Sequence, residues 1–189
     1  MKNLEKLVFK KFESNPKRLQ HIKGVINVSV QLAKIHGVDE NDAYLAALFH
    51  DYTKYDDLDD QRKYLDQETI DKYQEYPFVY HAYSASKQLR ELMPNVNSDV
   101  LVAIKNHIWG RPDMTKLERI LLIADKSEPS RIFREAKIIY KFALTNLNTS
   151  VTYLLKTQLS HLERQGLTPH PELLETLTYY LNLKGRKNE

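Results

Sequence analysis

The chain has 189 residues, of which 42% are hydrophobic and 28% charged, and its formal net charge is only +3. This composition is ordinary for a folded globular protein, and the small net charge with scattered basic residues gives no reason to expect a nucleic-acid partner. The absence of cysteine excludes disulfides, thiolate metal sites and cysteine nucleophiles, so any bound metal ion must have nitrogen and oxygen ligands.

The residue content favours helices throughout. Only five glycines and seven prolines occur, and long segments are rich in good helix formers. Residues 1–13 have the spacing of a short amphipathic helix, and Pro16 suits the first turn of a second helix that ends before Gly37. Asp39 is the predicted N-cap of a third helix, which carries the sequence NDAYLAALFHDYTK at 41–54.

The middle of the chain begins with a polar and acidic segment, 55–76. Its composition allows either a helical lid or a solvated hairpin. Pro77 begins the next predicted helix, and Ser98 is the predicted cap of a short one. Thr115 and Glu118 then have the spacing of a capping box, which predicts a further helix.

Three more helices are expected after that capping box, and the last fades into a basic tail. The pattern predicts one all-α domain over 1–189, with 55–76 as an insert and the tail at 184–189. No apolar run reaches the length of a membrane span, and the N-terminal segment lacks the apolar core of a secretory signal. We therefore expect a cytoplasmic protein with no membrane partner.

Six polar side chains lie on apolar helix faces. His50 and Asp51 follow alanines that share one face at 3.6 residues per turn. The other four head or end apolar stripes in separate helices: His21, His81, His107 and Asp125. A single inward histidine is usually a core residue that bonds a backbone carbonyl. Six inward polar groups instead favour a bound cation, because an uncompensated buried charge is costly.

Imidazole and carboxylate are suitable ligands for iron, manganese and zinc. Six such ligands suffice for two ions if one carboxylate bridges them. Two metal ions about 3.5–4 Å apart are suited to the hydrolysis of phosphate esters and anhydrides. The pattern therefore predicts a dinuclear phosphohydrolase site and leaves the metal open.

The order of these six residues resembles that of the HD-domain metal-dependent phosphohydrolases. The phrases HDYTK at 50–54, HIWGRPDM at 107–114 and ADKSEPSR at 124–131 resemble more narrowly the YqeK group. That group comprises bacterial symmetrical bis(5'-nucleosyl)-tetraphosphatases, which split diadenosine tetraphosphate into two ADP. The resemblance runs from about residue 18 to 180. It implies a helical HD-domain bundle whose helices converge on a buried site for two metal ions, with iron as the expected metal.

The resemblance also implies how the ligands divide. Asp51 would bridge the two ions and take part in catalysis. One iron would be held, together with Asp51, by His21, His50 and Asp125. The other would be held, again with Asp51, by His81 and His107.

The resemblance implies four substrate contacts as well. Lys54 falls where these enzymes keep a lysine near the phosphate and the attacking water. Arg111 and Arg131 are predicted phosphate clamps, because guanidinium groups match phosphate oxygens. Glu128 is predicted to order Arg131 or to meet a ribose hydroxyl. For these four residues the alternative is a charged surface position.

Two local differences from the YqeK group concern the nucleoside pocket. Lys126-Ser127 stands where the group has an aromatic-aliphatic pair. The sequence His81-Ala-Tyr-Ser stands where a glycine-containing phrase is expected. Neither difference affects a predicted ligand.

Two other functions remain open at this stage. One is an HD-type nucleotidase or deoxynucleotide phosphohydrolase that uses the same metals on another substrate. The other is a regulatory nucleotide-binding module without catalysis, against which the complete ligand set argues. In each case the partner is a small-molecule nucleotide, and the family resemblance implies a homodimer.

Overall fold

The structure is a computed structural model and describes residues 2–185, with side chains described as far as residue 183. Every regular element in this part of the chain is helical, which confirms the predicted all-α class. The α-helices are α1 Lys2–Lys11, α2 Pro16–His36, α3 Glu40–Phe49, α4 Leu58–Arg62, α5 Gln67–Lys72, α6 Tyr80–Leu92, α7 Ser98–Lys105, α8 Lys116–Ser127, α9 Arg134–Ala143, α10 Leu147–Arg164 and α11 Pro171–Gly185. A 3-10 turn, Pro77–Val79, precedes α6.

The apolar α3 and α8 lie at the centre of the bundle. The long α2 packs against both of them, and α7 packs against α3, α6 and α8. On the other side of α8, α9 and α10 pack against it and each other, and α11 packs against α10. Every residue of α8 from Ile120 to Asp125 is buried, so this helix can carry a carboxylate into the interior.

The ends of several helices are set by side-chain caps or by a glycine. The Asp39 side chain accepts hydrogen bonds from the backbone N–H groups of Asn41 and Asp42 at 2.8 and 3.0 Å. Gly37 ends α2 in the left-handed region, with φ of 68°, which glycine adopts without steric cost. The predicted capping box of Thr115 and Glu118 is present at the start of α8.

Some local predictions need correction. Asn97, not Ser98, caps α7, because the Asn97 side chain accepts from the N–H of Asp99. The spacing of Val25, Val28 and Leu32 predicts that Ile35 also faces inward, but Ile35 is exposed. Of the two alternatives for the segment 55–76, the structure has the helical one, with the short helices α4 and α5. The predicted basic tail at 184–189 begins within α11, and its residues 186–189 lie outside the described residues.

No helix in the described part of the chain combines the length and apolar character that crossing a bilayer would require.

Candidate metal centre

The structure brings all six predicted ligands together in the interior. Asp51 lies between two pairs of histidines and offers one carboxylate oxygen to each pair. Its Oδ2 is 3.3 Å from His50 Nε2 and 3.6 Å from His21 Nε2. Its Oδ1 is 3.1 Å from His81 Nε2 and 3.7 Å from His107 Nε2. This is the arrangement expected of a carboxylate that bridges two ions.

The sixth predicted ligand, Asp125, joins one pair only. Its Oδ1 is 3.2 Å from His21 Nε2 and 3.9 Å from His50 Nε2. The centre therefore divides into a group with His21, His50 and both carboxylates, and a group with His81, His107 and Asp51. This division matches the one that the family resemblance implies.

Each of the four histidines is held through its Nδ1 atom. In three of them Nδ1 lies at hydrogen-bond distance from the carbonyl oxygen three residues earlier: Ala47 for His50, Phe78 for His81 and Ile104 for His107. A carbonyl oxygen can only accept, so these Nδ1 atoms carry the proton. In the neutral ring Nε2 then presents its lone pair to the centre, as a metal ligand requires.

The Nε2 atoms face each other in pairs. His21 and His50 are 3.3 Å apart at Nε2, and so are His81 and His107. Because Nδ1 already donates in His81 and His107, two neutral rings at this pair would place two lone pairs against each other. At the other pair the carboxylates favour a proton on His21, and a metal ion can take the place of that proton. A cation at each position removes that repulsion and satisfies both nitrogens at once. The residues therefore fit a pair of divalent metal ions by the chemistry of their donor atoms.

The pKa values show how strongly these groups interact. Burial alone would raise the pKa of Asp51, but the surrounding histidines, led by His50, hold it well below its usual range. Burial lowers the pKa of His107 to about 4, which favours the neutral ring. Burial also opposes the charge on His21, yet the carboxylates, Asp125 first, raise its pKa to about 9. Burial would likewise raise the pKa of Asp125, but Lys126 first and then His21 hold it well below its usual range. Both aspartates are thus ionised, as metal ligands must be.

Glu128 orients His21. Its Oε1 lies 3.0 Å from His21 Nδ1, and its Oε2 accepts a 2.7 Å hydrogen bond from the N–H of Ser130. Glu128 is buried, and Gly24 makes room for it, since a Cβ on Gly24 would be 2.5 Å from Glu128 Oε2. Arg131 Nε is 3.6 Å from Glu128 Oε1. Glu128 therefore bonds a predicted ligand and lies near Arg131, while its predicted contact with a ribose hydroxyl stays a prediction.

Four cationic side chains contact the two carboxylates. Lys54 Nζ is 3.1 Å from Asp51 Oδ1, and Arg18 donates to Asp51 Oδ2. Lys126 Nζ is 2.7 Å from Asp125 Oδ2, and Arg131 Nη2 is 3.1 Å from Asp125 Oδ1. Since Lys54 and Arg131 are each about one-third exposed, they can also reach an anion that enters from solvent.

Arg111 lies in a different environment. Its Nε and Nη2 each donate to the Glu118 carboxylate at 2.7 Å, and Glu118 also accepts from the N–H of Thr115 in the capping box. This bidentate pair ties the loop before α8 to the helix. The role of Arg111 as a phosphate clamp stays a prediction, and in this structure its guanidinium is engaged by Glu118.

A cavity of about 380 Å³ opens beside His81 and His107. Lys54 and Lys126 line it together with apolar side chains that include Phe78 and Ile108. The Phe78 ring is 55% exposed, so it offers a face for stacking. A cavity lined by both cations and an aromatic ring suits a nucleotide.

Sequence reasoning missed two cationic contacts and one small residue. Arg18 lies three residues before His21 on α2, a spacing that places both on one helix face. Lys126 directly follows Asp125. Gly24 is three residues after His21, and its role depends on a residue 104 positions away, since Glu128 packs over it.

Comparison with known proteins places the chain among phosphohydrolases. The profile of the HD domain family matches residues 18–130. The symmetrical bis(5'-nucleosyl)-tetraphosphatase of Halalkalibacterium halodurans is 34% identical to this chain, over 87% of this chain and 89% of that protein. The protein of the same name from Bacillus subtilis is 28% identical, over 96% of this chain and 99% of that protein. Among solved structures, the crystal structure of a Clostridium acetobutylicum protein superposes on this chain with a TM-score of 0.87. That protein is described as a predicted HD superfamily hydrolase involved in NAD metabolism. It is 26% identical to this chain, and the match covers 96% of both chains. These matches confirm the resemblance drawn from the sequence.

Proposed function

The chain belongs to the HD domain family, and on that basis we propose that it is a metal-dependent phosphohydrolase that splits dinucleoside tetraphosphates symmetrically. With diadenosine tetraphosphate the products are two ADP. Relatives named for this activity align with most of the chain. The phrases that carry the narrower resemblance contain four residues of the centre: His50, Asp51, His107 and Asp125. The two other functions considered above receive no support from these relatives.

The observation that carries the proposal is the set of four Nε2 atoms around Asp51. Each Nε2 faces inward because the Nδ1 of the same ring is held by an acceptor. One oxygen of Asp51 lies beside each pair of histidines. His21, His50, Asp51 and Asp125 would hold one divalent ion, and Asp51, His81 and His107 the other. Two such ions, when bound, supply an activated water and neutralise charge on the phosphoryl oxygens.

The cations of the chain position the substrate. Lys54 and Arg131 lie beside the two carboxylates and are partly exposed to solvent. The oxygens of a phosphate chain that enters the centre can therefore accept hydrogen bonds from these two side chains in place of water. Their charge offsets the negative charge that builds on phosphoryl oxygens as the bond breaks. ADP is a stable leaving group and needs no strong acid. For symmetrical cleavage the central anhydride would lie at the centre beside Asp51, with two phosphates on each side.

Identification of the products tests this function. Protein loaded with iron or with manganese is incubated with diadenosine tetraphosphate, and the nucleotides are separated by chromatography. ADP as the only product is the expected result. A mixture of ATP and AMP would contradict symmetrical cleavage, and no turnover in protein that holds metal would contradict the substrate.

Iron as the natural metal, a cytoplasmic location and a homodimer are further parts of the proposal. The nitrogen and oxygen donors suit iron and manganese equally. Metal analysis of protein purified without added metal identifies the natural metal, and light scattering determines the oligomeric state. Manganese alone in freshly purified protein would contradict the choice of iron.

A further inference from the structure

Two cavities lie on either side of Lys126. One is the cavity of about 380 Å³ beside His81 and His107. The second has about 350 Å³ and lies between α8, α9 and α10. Lys126 lines both of them, and its Nζ is 2.7 Å from Asp125 Oδ2. Lys126 therefore links the second cavity both to the first cavity and to the predicted metal centre.

The lining of the second cavity suits a nucleobase. Phe133, Ile139 and Leu154 provide its apolar surface, against which a flat ring can pack. Gln158 also lines it, and the Oε1 atom of Gln158 is buried with no hydrogen-bond partner among the residues that the structure describes. Buried acceptors are normally paired. An exocyclic amino group of a base would supply the missing donor.

The size and position of the cavity also fit. Its volume lies within the range of about 300–1,000 Å³ that is typical of small-molecule sites. A dinucleoside tetraphosphate carries one nucleoside at each end, at equal distances from its central bond. If that bond lies over Asp51, the two halves must leave the centre in different directions. Lys54 and the exposed Phe78 line the first cavity, and Lys126 lines both the first cavity and the second.

We infer that the cavity between α8, α9 and α10 binds the second nucleoside of the substrate, a purine nucleoside with an exocyclic amino group, and that Lys126 contacts the phosphate chain where it passes from one cavity to the other. This inference rests on the proposed function. With two nucleoside-binding cavities the protein favours a ligand that carries two nucleosides. A single cavity would not distinguish such a ligand from a mononucleotide.

Two substitutions remove this site without touching a predicted ligand. Gln158→Leu takes away the unpaired oxygen and keeps the volume, so stability should hold or rise. Leu154→Trp fills the cavity with a larger ring. Lys156→Leu is the matched control, because Lys156 is an exposed residue of the same helix and does not line this cavity.

The first measurement is kcat/KM for diadenosine tetraphosphate with metal-loaded protein. We expect Gln158→Leu to lower it about tenfold, the effect of one lost hydrogen bond to substrate, and Leu154→Trp to lower it further. Metal content and Tm should stay at the wild-type values in Gln158→Leu, and Lys156→Leu should match the wild type. Should Leu154→Trp fail to fold, Gln158→Leu still decides.

The second measurement is the stoichiometry of ADP binding by calorimetry. Two ADP per chain are expected in the wild type and one in Leu154→Trp or Gln158→Leu at the same concentration. Unchanged kcat/KM in both variants, with one ADP per wild-type chain, would overturn the second site and leave symmetrical cleavage standing. A wild type that cleaves no dinucleoside tetraphosphate would overturn the proposed function, and this inference with it.

Discussion

Replacement of Gly24 by alanine tests whether Glu128 controls the metal centre through His21. Gly24 lies in α2, and a Cβ at this position would be 2.5 Å from Glu128 Oε2 and 3.2 Å from both Cβ and Cδ of Glu128. The carboxylate has little freedom to retreat, because it is bonded to His21 Nδ1, the Ser130 N–H and the Ser130 hydroxyl. Gly24→Ala should therefore displace Glu128 and release His21.

The two effects of this substitution act on different observables. Alanine in a helix interior is favoured over glycine by about 1 kcal/mol, which offsets part of the steric cost in the metal-free protein. Loss of the partner that orients a metal-binding histidine lowers metal affinity about 10- to 100-fold, equivalent to about 1.4–2.7 kcal/mol. We expect a metal-free Tm within a few degrees of the wild type and a clear fall in metal affinity.

The assay is competition for manganese between the protein and a chelator of known affinity, with thermal unfolding of the metal-free protein measured in parallel. Glu128→Ala provides the control background, because it removes Oε2 and Cδ of Glu128 and leaves only its Cβ, 3.2 Å from the new Cβ. In that background Gly24→Ala should raise stability and leave metal affinity unchanged. Wild-type metal affinity in the single variant Gly24→Ala would refute the orienting role of Glu128.

The remaining predictions concern ligands, substrate contacts and metal removal. Asp51→Ala should abolish metal binding and turnover, as measured by elemental analysis and ADP release; full turnover would contradict the dinuclear scheme. Lys54→Met should lower kcat/KM at least tenfold with metal content unchanged. Loss of metal in this variant would instead show that Lys54 supports the metal centre and does not contact the substrate. Arg111→Met should lower the stability by about 1–3 kcal/mol, since it leaves buried Glu118 without its charged partner; a raised KM at unchanged Tm would favour the phosphate clamp. Removal of metal by a chelator should lower Tm, because ions that bind only the folded state stabilise it; an unchanged Tm would argue against a built metal site.

Helical periodicity was sufficient to predict which polar residues meet. His21, His50, His81, His107 and Asp125 were each placed on an apolar face, and all are buried at the centre. The prediction succeeds because a helix face that packs inward carries every residue at its spacing with it. It is less reliable at helix ends, where nothing requires the stripe to continue. Ile35 and Leu92 follow the same spacing and are exposed.

Cation contacts could not be predicted in the same way. Arg18, Lys126 and Arg131 all lie within a few residues of a predicted ligand, but long flexible side chains can turn to solvent or inward from the same backbone position. Arg111 shows the consequence. Its sequence context predicts a phosphate contact, while the structure pairs it with Glu118. Only the packing around each residue decides between the two.

Three of the histidine rings are oriented by a partner close in sequence, and the fourth is oriented by a distant one. His50 and His107 follow the ends of α3 and α7, where the last carbonyls have no helical partner, so the carbonyl three residues earlier can take the Nδ1 proton. His81 uses the same spacing at the 3-10 turn before α6. His21 lies within α2, where the helix already uses the nearby carbonyls. It therefore needs an acceptor from elsewhere, and Glu128, 107 residues away, supplies it.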